Sequence, residues 1–241
     1  MQKKDIPLDQ RIIFALDLDT EQKAQEWVSL LSHRITYYKV GMELFLAGGW
    51  RIVDWILQQG HQVMLDLKLY DVPRTVQASV QQIRHRPVST LTVHGDQAIL
   101  ESACEASGRT KILAVTVLTR LESDSLLQMG FSGSPGDLAL QRARMAQEAG
   151  CTGIVCSGLE LPQIRSQLGS ALLAVVPGVR AHIRPEDDQK RTVDLVTAFD
   201  NGADHVVLGR PIREAEDPQA FVEGLQEKIA STLASGQEDA S

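Results

Sequence analysis

Acidic and basic side chains alternate in the segment Asp66-Leu67-Lys68-Leu69-Tyr70-Asp71. The segment follows the apolar run 63–65, which is typical of a buried strand. Because residues two apart on a strand share a face, we expect Asp66 and Lys68 to point the same way. A plain salt bridge is one interpretation, but a buried ion pair is costly to desolvate. A lysine fixed between carboxylates and shielded from water is suited to donating a proton.

Two later segments combine glycine with arginine, namely Pro177-Gly178-Val179-Arg180 and Gly209-Arg210. Glycine lets backbone N–H groups approach an anion closely, and arginine offers a two-pronged donor. These residues therefore indicate a phosphate site, provided that the fold brings the two segments together.

Short apolar runs alternate with longer stretches of helical period along the whole chain. The helical stretches include 21–32, 49–59, 75–84 and 137–150, and Asp19-Thr20 and Asp137 are predicted as N-caps. The predicted strands are 11–17, 35–40, 62–66, 88–94, 111–116, 153–156, 172–176 and 205–208.

The strand runs are apolar throughout, which favours parallel strands covered on both faces. Eight strand–helix units in 241 residues match a single (β/α)8 TIM barrel. No Gly-x-Gly-x-x-Gly follows the first strand, which argues against an open dinucleotide-binding sheet. We expect one domain over 1–241, with a short polar segment at 1–10 and a frayed tail at 234–241.

In such a barrel, chemistry takes place where the strands end. The predicted strands end in polar residues, and the phosphate-binding segments follow the seventh and eighth strands, where barrels commonly bind phosphate. These side chains should therefore meet at one rim. The strand-end residues are Asp17, Lys39, Asp66, Lys68, His94, Thr116 and Thr119. His94, which lacks a partner at ligand spacing, is predicted to be a structural, hydrogen-bonded histidine.

Composition narrows the class of protein. The 24 Lys+Arg against 31 Asp+Glu give a formal charge of −7, which argues against a nucleic-acid partner. No apolar run approaches the roughly 18–20 residues of a membrane span, and the first ten residues lack a signal-peptide core. We therefore expect a cytoplasmic protein without a membrane partner. No zinc or two-metal pattern is evident, so neither a metal nor a cofactor is predicted.

From about Ile12 to Ile212 the chain resembles the orotidine 5′-phosphate decarboxylase family. The segment from Asp66 to Thr75 matches the family signature Asp-x-Lys-x-x-Asp-Ile-Pro-x-Thr almost position for position. The other matching segments are Ala15-Leu16-Asp17, Lys39-Val40-Gly41, Thr116-Val117-Leu118-Thr119, Pro177-Gly178-Val179-Arg180, Asp188-Gln189-Lys190-Arg191 and Gly209-Arg210-Pro211-Ile212.

The resemblance implies decarboxylation of orotidine 5′-phosphate to UMP, the last step of de novo pyrimidine biosynthesis, without a cofactor. Asp17 and Lys39 would hold the ribose hydroxyls, and Lys39 would also join the charged groups around the reacting carbon. Asp66 would lie beside the departing carboxylate. Lys68 would protonate C6 of the ring.

The resemblance also implies a homodimer in which Asp71 and Thr75 reach into the neighbouring subunit's site, so that Asp71 completes the charge array. Thr119 would lie by the pyrimidine. The phosphate would be bound by Arg180, Gln189, Gly209 and Arg210, with Gln189 on a closing loop.

Two segments depart from the family pattern. The family usually has His-Ala-Ser-Gly-Gly where this chain has His94-Gly95-Asp96-Gln97-Ala98. A few residues after Asp-Gln-Lys-Arg the family often has Thr-Pro, whereas this chain has Thr192-Val193-Asp194-Leu195.

Two alternatives for the function stay open. One is the Mg²⁺-dependent 3-keto-L-gulonate 6-phosphate decarboxylase type, which carries Glu in place of Lys39. The other is a non-catalytic barrel that binds phosphoribosyl ligands.

Overall fold

A closed barrel of eight parallel strands forms the centre of the computed structural model, which describes residues 4–180 and 191–238. Each strand pairs with its neighbour in the chain, and the last pairs with the first, so the predicted (β/α)8 barrel is confirmed. The barrel strands are β1 (Ile12–Ala15), β2 (Tyr37–Gly41), β3 (Gln62–Leu69), β4 (Thr90–Val93), β5 (Lys111–Val115), β6 (Gly153–Val155), β7 (Leu173–Pro177) and β10 (His205–Leu208); β8 (Val179–Arg180) and β9 (Val193–Asp194) pair outside the barrel.

Helices connect the strands and cover the outside of the barrel. Across the two described ranges, no helix has both the length and the hydropathy needed to cross a membrane. The helices are α1 (Leu8–Arg11), α2 (Glu21–Leu31), α3 (Met42–Gln58), α4 (Pro73–Ile83), α5 (Gln97–Ala106), α6 (Ser123–Gln128), α7 (Pro135–Glu148), α8 (Leu161–Leu168), α9 (Leu195–Asp200), α10 (Arg210–Arg213) and α11 (Pro218–Glu238).

Two helices depart most from the predictions. Helix α3 begins at Met42 rather than at Gly49, where the backbone leaves the helical region with φ 56°. Glycine adopts this conformation readily, so the chain turns there and helical structure resumes. Helix α11 continues to Glu238, well into the tail that was expected to be frayed, and residues 239–241 lie outside the described part of the chain.

Each strand buries both of its faces. Side chains of one parity fill the barrel interior, including Ile13, Tyr37, Met64, Val115 and Val207. Side chains of the other parity pack beneath the helices in a second, larger cluster. Full burial of one such side chain stabilises the fold by about 1.5–3 kcal/mol. This two-sided burial explains why the strand sequences are apolar throughout rather than alternating.

Helix α7 begins with a capping box. The Ser134 side chain accepts a hydrogen bond from the Asp137 backbone N–H, and the Asp137 carboxylate accepts from the Ser134 N–H. The N-cap is therefore Ser134, and the prediction of Asp137 in that role was wrong, because a carboxylate three residues into the helix can bond back to the cap. The N-cap predicted at Asp19-Thr20 is confirmed, and Thr20 is the capping residue, since its side chain accepts from the Lys23 N–H.

Both departures from the family pattern place an aspartate at a helix start. Asp96 is the N-cap of α5 and accepts from the Ile99 N–H at 3.1 Å. Asp194 is the N-cap of α9, where its carboxylate accepts from the Thr197 N–H at 3.0 Å and from the Thr197 hydroxyl at 2.6 Å. Aspartate satisfies the free N–H groups of a first turn, so each departure supplies a local cap.

A buried charge network lies at the N-terminal end of the barrel, on the face opposite the strand ends. The Asp204 carboxylate accepts from Arg165 Nη2 at 2.9 Å, from Lys4 Nζ at 2.8 Å and from the Ala174 N–H at 2.8 Å. Arg165 also donates to the carbonyl oxygen of Gly202 at 2.8 Å. The network therefore joins β7, α8 and the start of β10.

We predict that Asp204→Asn lowers the free energy of unfolding by about 3–5 kcal/mol, because it leaves the buried Arg165 guanidinium without its counter-charge. Urea unfolding followed by circular dichroism measures the change. The matched control is Asp19→Asn, which removes an exposed ion pair to Lys23 and should cost at most about 1 kcal/mol. Equal losses for the two variants would contradict the prediction.

Candidate active site

On β1, β2 and β3 the inward-facing series of residues changes from apolar to charged near the C-terminal end of the strand. On β1 the series Ile13 and Ala15 leads to Asp17, and on β2 Tyr37 leads to Lys39. On β3 the inward-facing Met64 leads to Asp66. These ends surround a pocket of about 600 Å³ at the C-terminal rim. The predicted site residues that line this pocket are Asp17, Lys39, Asp66, Lys68, Thr119, Gly209 and Arg210.

A linear array of alternating charges crosses one side of the pocket. Lys39 Nζ lies 2.7 Å from Asp17 Oδ1 and 3.6 Å from Asp66 Oδ2. Lys68 Nζ lies 2.8 Å from the same Asp66 oxygen. The Asp17 side chain is about half exposed, whereas the Lys39 and Asp66 side chains are almost completely buried. The structure thus brings together four charged side chains from three adjacent strands.

Asp66 is the most buried carboxylate of the array. Burial by itself raises the pKa of Asp66, but the ammonium groups of Lys39 and Lys68 and hydrogen bonds from Lys68 and Thr92 outweigh it. The net result is a pKa below the usual value for aspartate. Asp66 is therefore negatively charged at neutral pH, directly beneath the pocket.

Lys68 departs from regular strand geometry. The pairing of β3 with β4 shifts register between Leu65 and Leu69, and Lys68 has a φ of 48°. For a residue with a Cβ, this left-handed conformation costs about 1–2 kcal/mol. The Lys68 backbone N–H donates to Thr92 Oγ1 at 2.9 Å instead of to a strand carbonyl. A bulge thus turns the Lys68 side chain back toward Asp66.

The segments after β7 and β10 line the part of the pocket that continues around the barrel from β1. Gly178 has a φ of 75°, which a side chain would strain. A Cβ on Gly209 would lie 3.1 Å from the Ala15 Cβ, so a larger residue would crowd β1. Arg210 starts the short helix α10 and faces the pocket. The backbone of Arg180 belongs to β8, whereas Gln189 lies outside the described residues.

The segment after β5 that carries Thr119 is anchored by Arg191. The guanidinium of Arg191 donates to the carbonyl oxygens of Val117 and Leu118, at 3.2 and 2.9 Å, and forms an ion pair with the buried Glu160. Sequence reasoning missed this pair, because Glu160 lies outside every recognised motif and the Asp-Gln-Lys-Arg motif does not show which groups its arginine contacts.

The charged pocket residues that sequence reasoning missed include Glu43 and Arg213. Glu43 lies in the first turn of α3, just after the strand that carries Lys39. Arg213 donates to the carbonyl oxygen of Asp17. Neither residue falls at a strand end, which was the signal used to select candidates.

Asp71 and Thr75 lie outside this chain's own pocket. Both residues are exposed at the start of α4. Asp71 Oδ1 accepts a hydrogen bond from the Val72 N–H at 2.7 Å. The separation of these residues from Lys68's pocket is what a role in a neighbouring subunit requires, and that role stays a prediction.

His94 is half-buried and does not match the predicted hydrogen-bonded histidine. Within the described structure its Nδ1 atom has no hydrogen-bond partner, and its ring lies 5.6 Å from the Tyr70 ring. Burial lowers the pKa of His94, and the positive charges of Arg142 and Lys68 act in the same direction. The ring is therefore neutral at neutral pH. Ring packing, rather than a bond at Nδ1, positions this side of the imidazole.

No group of three or more His, Cys, Asp and Glu side chains is placed to hold a metal ion in the ranges 4–180 and 191–238. The carboxylates of the pocket instead face lysine ammonium groups. Asp17 and Asp66 both contact Lys39, and Asp66 also contacts Lys68.

Comparison with known proteins agrees with this geometry. Residues 10–225 match the model of the orotidine 5′-phosphate decarboxylase / HUMPS family. The chain is 44% identical over 238 residues to the orotidine 5′-phosphate decarboxylase of Methylococcus capsulatus, covering 98% of both chains. It is 41% identical over 239 residues to that of Stenotrophomonas maltophilia, covering 97% of this chain and 99% of the relative.

Solved structures agree as well. The crystal structure of orotidine 5′-phosphate decarboxylase from Lactobacillus acidophilus superposes with a TM-score of 0.81 at 31% identity, covering 91% of this chain and 99% of that one. An uncharacterized conserved protein from Geobacillus kaustophilus gives 0.79 at 30% identity, covering 90% and 99%. Near-complete coverage in sequence and in structure shows that the chain belongs to the orotidine 5′-phosphate decarboxylase / HUMPS family.

Proposed function

We propose that this protein converts orotidine 5′-phosphate to UMP and CO2 without a metal or an organic cofactor. The observation that carries the proposal is the position of Lys68, whose ammonium lies 2.8 Å from a buried carboxylate at the mouth of the barrel. The family match and the relatives named orotidine 5′-phosphate decarboxylase support the same substrate.

The reaction needs a proton donor beside a carbon that becomes negatively charged. Loss of CO2 from C6 of the ring leaves an electron pair on that carbon, and the Lys68 ammonium then supplies the proton. An ammonium fixed in place before the reaction stabilises the developing carbanion more than the substrate, which is the condition for a faster rate. Asp66 keeps the ammonium in position by direct contact.

The charge array accounts for only part of the required acceleration. Enzymes lower barriers by about 8–23 kcal/mol, and an unstabilised carbanion calls for the upper end of that range. Two unit charges about 4 Å apart interact by about 4 kcal/mol at an effective dielectric constant of about 20. The remainder must come from contacts with distant parts of the substrate, whose binding energy orients the ring against the array.

The phosphate is the distant group best suited to this task. We assign it to the part of the pocket lined by Gly178, Gly209 and Arg210, because glycine backbone N–H groups and a guanidinium are suited to binding phosphate. Arg180 and Gln189 complete the proposed phosphate set. Asp17 and Lys39 would bind the ribose hydroxyls between the phosphate and the ring, and Thr119 would lie against the pyrimidine.

We further propose a homodimer in which Asp71 and Thr75 enter the partner's pocket. Large apolar side chains are exposed around these residues, after the adjacent strands β2 and β3. Exposed apolar patches of this kind mark protein–protein contacts. The exposed side chains are Met42, Leu46, Tyr70 and Val72, with exposures from 56% to 85%.

The position of Lys39 distinguishes this proposal from the Mg²⁺-dependent alternative. Its ammonium contacts both Asp17 and Asp66, so a divalent cation bound to these carboxylates would face a like charge at close range. The loss of absorbance of orotidine 5′-phosphate, followed in EDTA, tests the proposal, and undiminished turnover supports it. Binding of this substrate without turnover supports the silent barrel. Decarboxylation of 3-keto-L-gulonate 6-phosphate that EDTA abolishes and Mg²⁺ restores supports the metal enzyme.

We predict that Lys68→Ala lowers kcat for orotidine 5′-phosphate by at least about 10²–10⁴-fold, since a positioned general acid contributes that much. UMP binding, measured by calorimetry, should persist because the phosphate contacts remain. The control is Lys23→Ala, which removes an exposed lysine paired with Asp19 and should keep full activity. Substantial turnover by Lys68→Ala would remove Lys68 from the role of proton donor.

We predict that Arg210→Ala weakens kcat/KM by about 2–5 kcal/mol, the usual effect of truncating one partner of a charge pair with a ligand. Initial rates across a range of substrate concentrations give the value, and the melting temperature shows whether the fold is intact. Arg109→Ala, at an exposed arginine far from the pocket, is the control. A kcat/KM equal to that of the control would place the phosphate elsewhere.

We predict that mixing Lys68→Ala with Asp71→Ala subunits restores about a quarter of the activity. In a two-fold symmetric dimer, half of the mixed subunits form heterodimers, and each heterodimer has one intact site. Subunit exchange must be verified by a tagged chain and native mass spectrometry. If heterodimers form but activity stays at the level of the separate variants, Asp71 does not act across the interface.

A further inference from the structure

Thr92 lies directly beneath the charge array, in the barrel interior. Its side chain is fully buried, with 0% exposure. Thr92 Oγ1 donates to Asp66 Oδ1 at 2.9 Å and accepts from the Lys68 backbone N–H at 2.9 Å. One hydroxyl therefore contacts both members of the Asp66–Lys68 pair, and it does so from the neighbouring strand β4.

The two contacts fix different parts of the array. The hydroxyl hydrogen occupies one oxygen of the Asp66 carboxylate, so the other oxygen is oriented toward the ammonium groups of Lys39 and Lys68. The hydroxyl oxygen receives the N–H that the bulge withdraws from the strand ladder. It thereby satisfies the backbone of Lys68 in its left-handed conformation, and a buried N–H would otherwise be left without a partner.

We propose that Thr92 is a positioning residue for the decarboxylation, one that sets the geometry of Asp66 and Lys68 without touching the substrate. This inference rests on the proposed function. The hydroxyl is required rather than the shape of the side chain, because valine fills the same space but neither donates nor accepts a hydrogen bond.

Thr90 offers a matched control on the same strand. It is two residues earlier, so it also faces the barrel interior, and it is nearly as buried. Its hydroxyl lies 2.8 Å from the Tyr37 hydroxyl and does not contact the array. The same substitution at the two positions therefore differs in which hydrogen bonds it removes.

The experiment compares Thr92→Val, Thr92→Ser and Thr90→Val in steady-state decarboxylation. We expect Thr92→Val to lower kcat by about 10-fold to 100-fold, the effect of losing a hydrogen bond to a charged group. KM should change little, because the phosphate contacts lie across the pocket. Thr92→Ser keeps the hydroxyl and should stay within about threefold of the unmodified protein. Thr90→Val should keep its kcat.

A pH profile separates positioning from a general loss of packing. The charged groups that face Asp66 are Lys39 on β2 and Lys68 on β3. Thr92 adds a neutral donor that also favours the ionised carboxylate. Without that donor the Asp66 pKa rises, so activity that requires the carboxylate should fall at a higher pH in Thr92→Val than in Thr92→Ser.

Carbon-13 NMR of labelled aspartate carboxyls measures the same Asp66 titration without any turnover. A higher Asp66 pKa in Thr92→Val, together with the lower kcat, supports the inference. An unchanged titration and unchanged kcat overturn it, as does an equal loss in Thr90→Val. If the unmodified protein titrates as expected but does not decarboxylate orotidine 5′-phosphate, the function fails while the hydrogen bond stands. Thr92→Ala replaces Thr92→Val should the latter fail to fold.

Discussion

The site depends on one buried carboxylate, that of Asp66. Removing a carboxylate from water costs several kcal/mol unless it is paired and hydrogen-bonded. Asp66 receives two ammonium groups and one hydroxyl, and these bring its pKa below the usual value despite burial. The same contacts orient Lys68 and Lys39, so the compensation of one unfavourable charge also arranges the groups proposed to act on the substrate. Removing any member leaves the others poorly matched.

The barrel makes this arrangement possible because every strand presents one series of side chains to a common interior. Over the lower part of the barrel most of these side chains are apolar and pack together, and the hydroxyls of Tyr37 and Thr90 bond to each other. At the rim the series ends in Asp17, Lys39 and Asp66, which lie above this packed layer and line the pocket. The apolar layer keeps water away from below, where it would weaken the interactions between charges.

Much of this could be predicted from the sequence. The barrel follows from the repeated strand–helix units, and the position of Asp17 and Lys39 follows from strand parity. Lys68 shows where such reasoning is incomplete. Its side chain does meet Asp66, but β3 is irregular there, and a bulge and a left-handed backbone rather than simple alternation bring them together. A single sequence gives no signal for a bulge at a position without glycine.

Other features have no local signal at all. Threonine is common in strands, so the presence of Thr92 in β4 does not indicate a special role. Its contact with Asp66 results from the register between β3 and β4. Arg191 and Glu160 meet from distant segments, so spacing along the chain cannot pair them. Asp71 and Thr75 were identified only through the resemblance to the family. No pattern within one chain indicates which residues serve a neighbouring subunit.

Closure of the barrel joins the two ends of the pocket. Because β10 pairs with β1, the Gly209 segment lies beside Asp17 although the two are distant in sequence. Asp17 contacts Lys39 through its carboxylate, and its carbonyl oxygen accepts from Arg213. The phosphate site proposed after β10 therefore lies directly beside Asp17, one end of the charge array. Binding energy gained at the phosphate can orient the array through Asp17, which an open sheet with distant first and last strands would not allow.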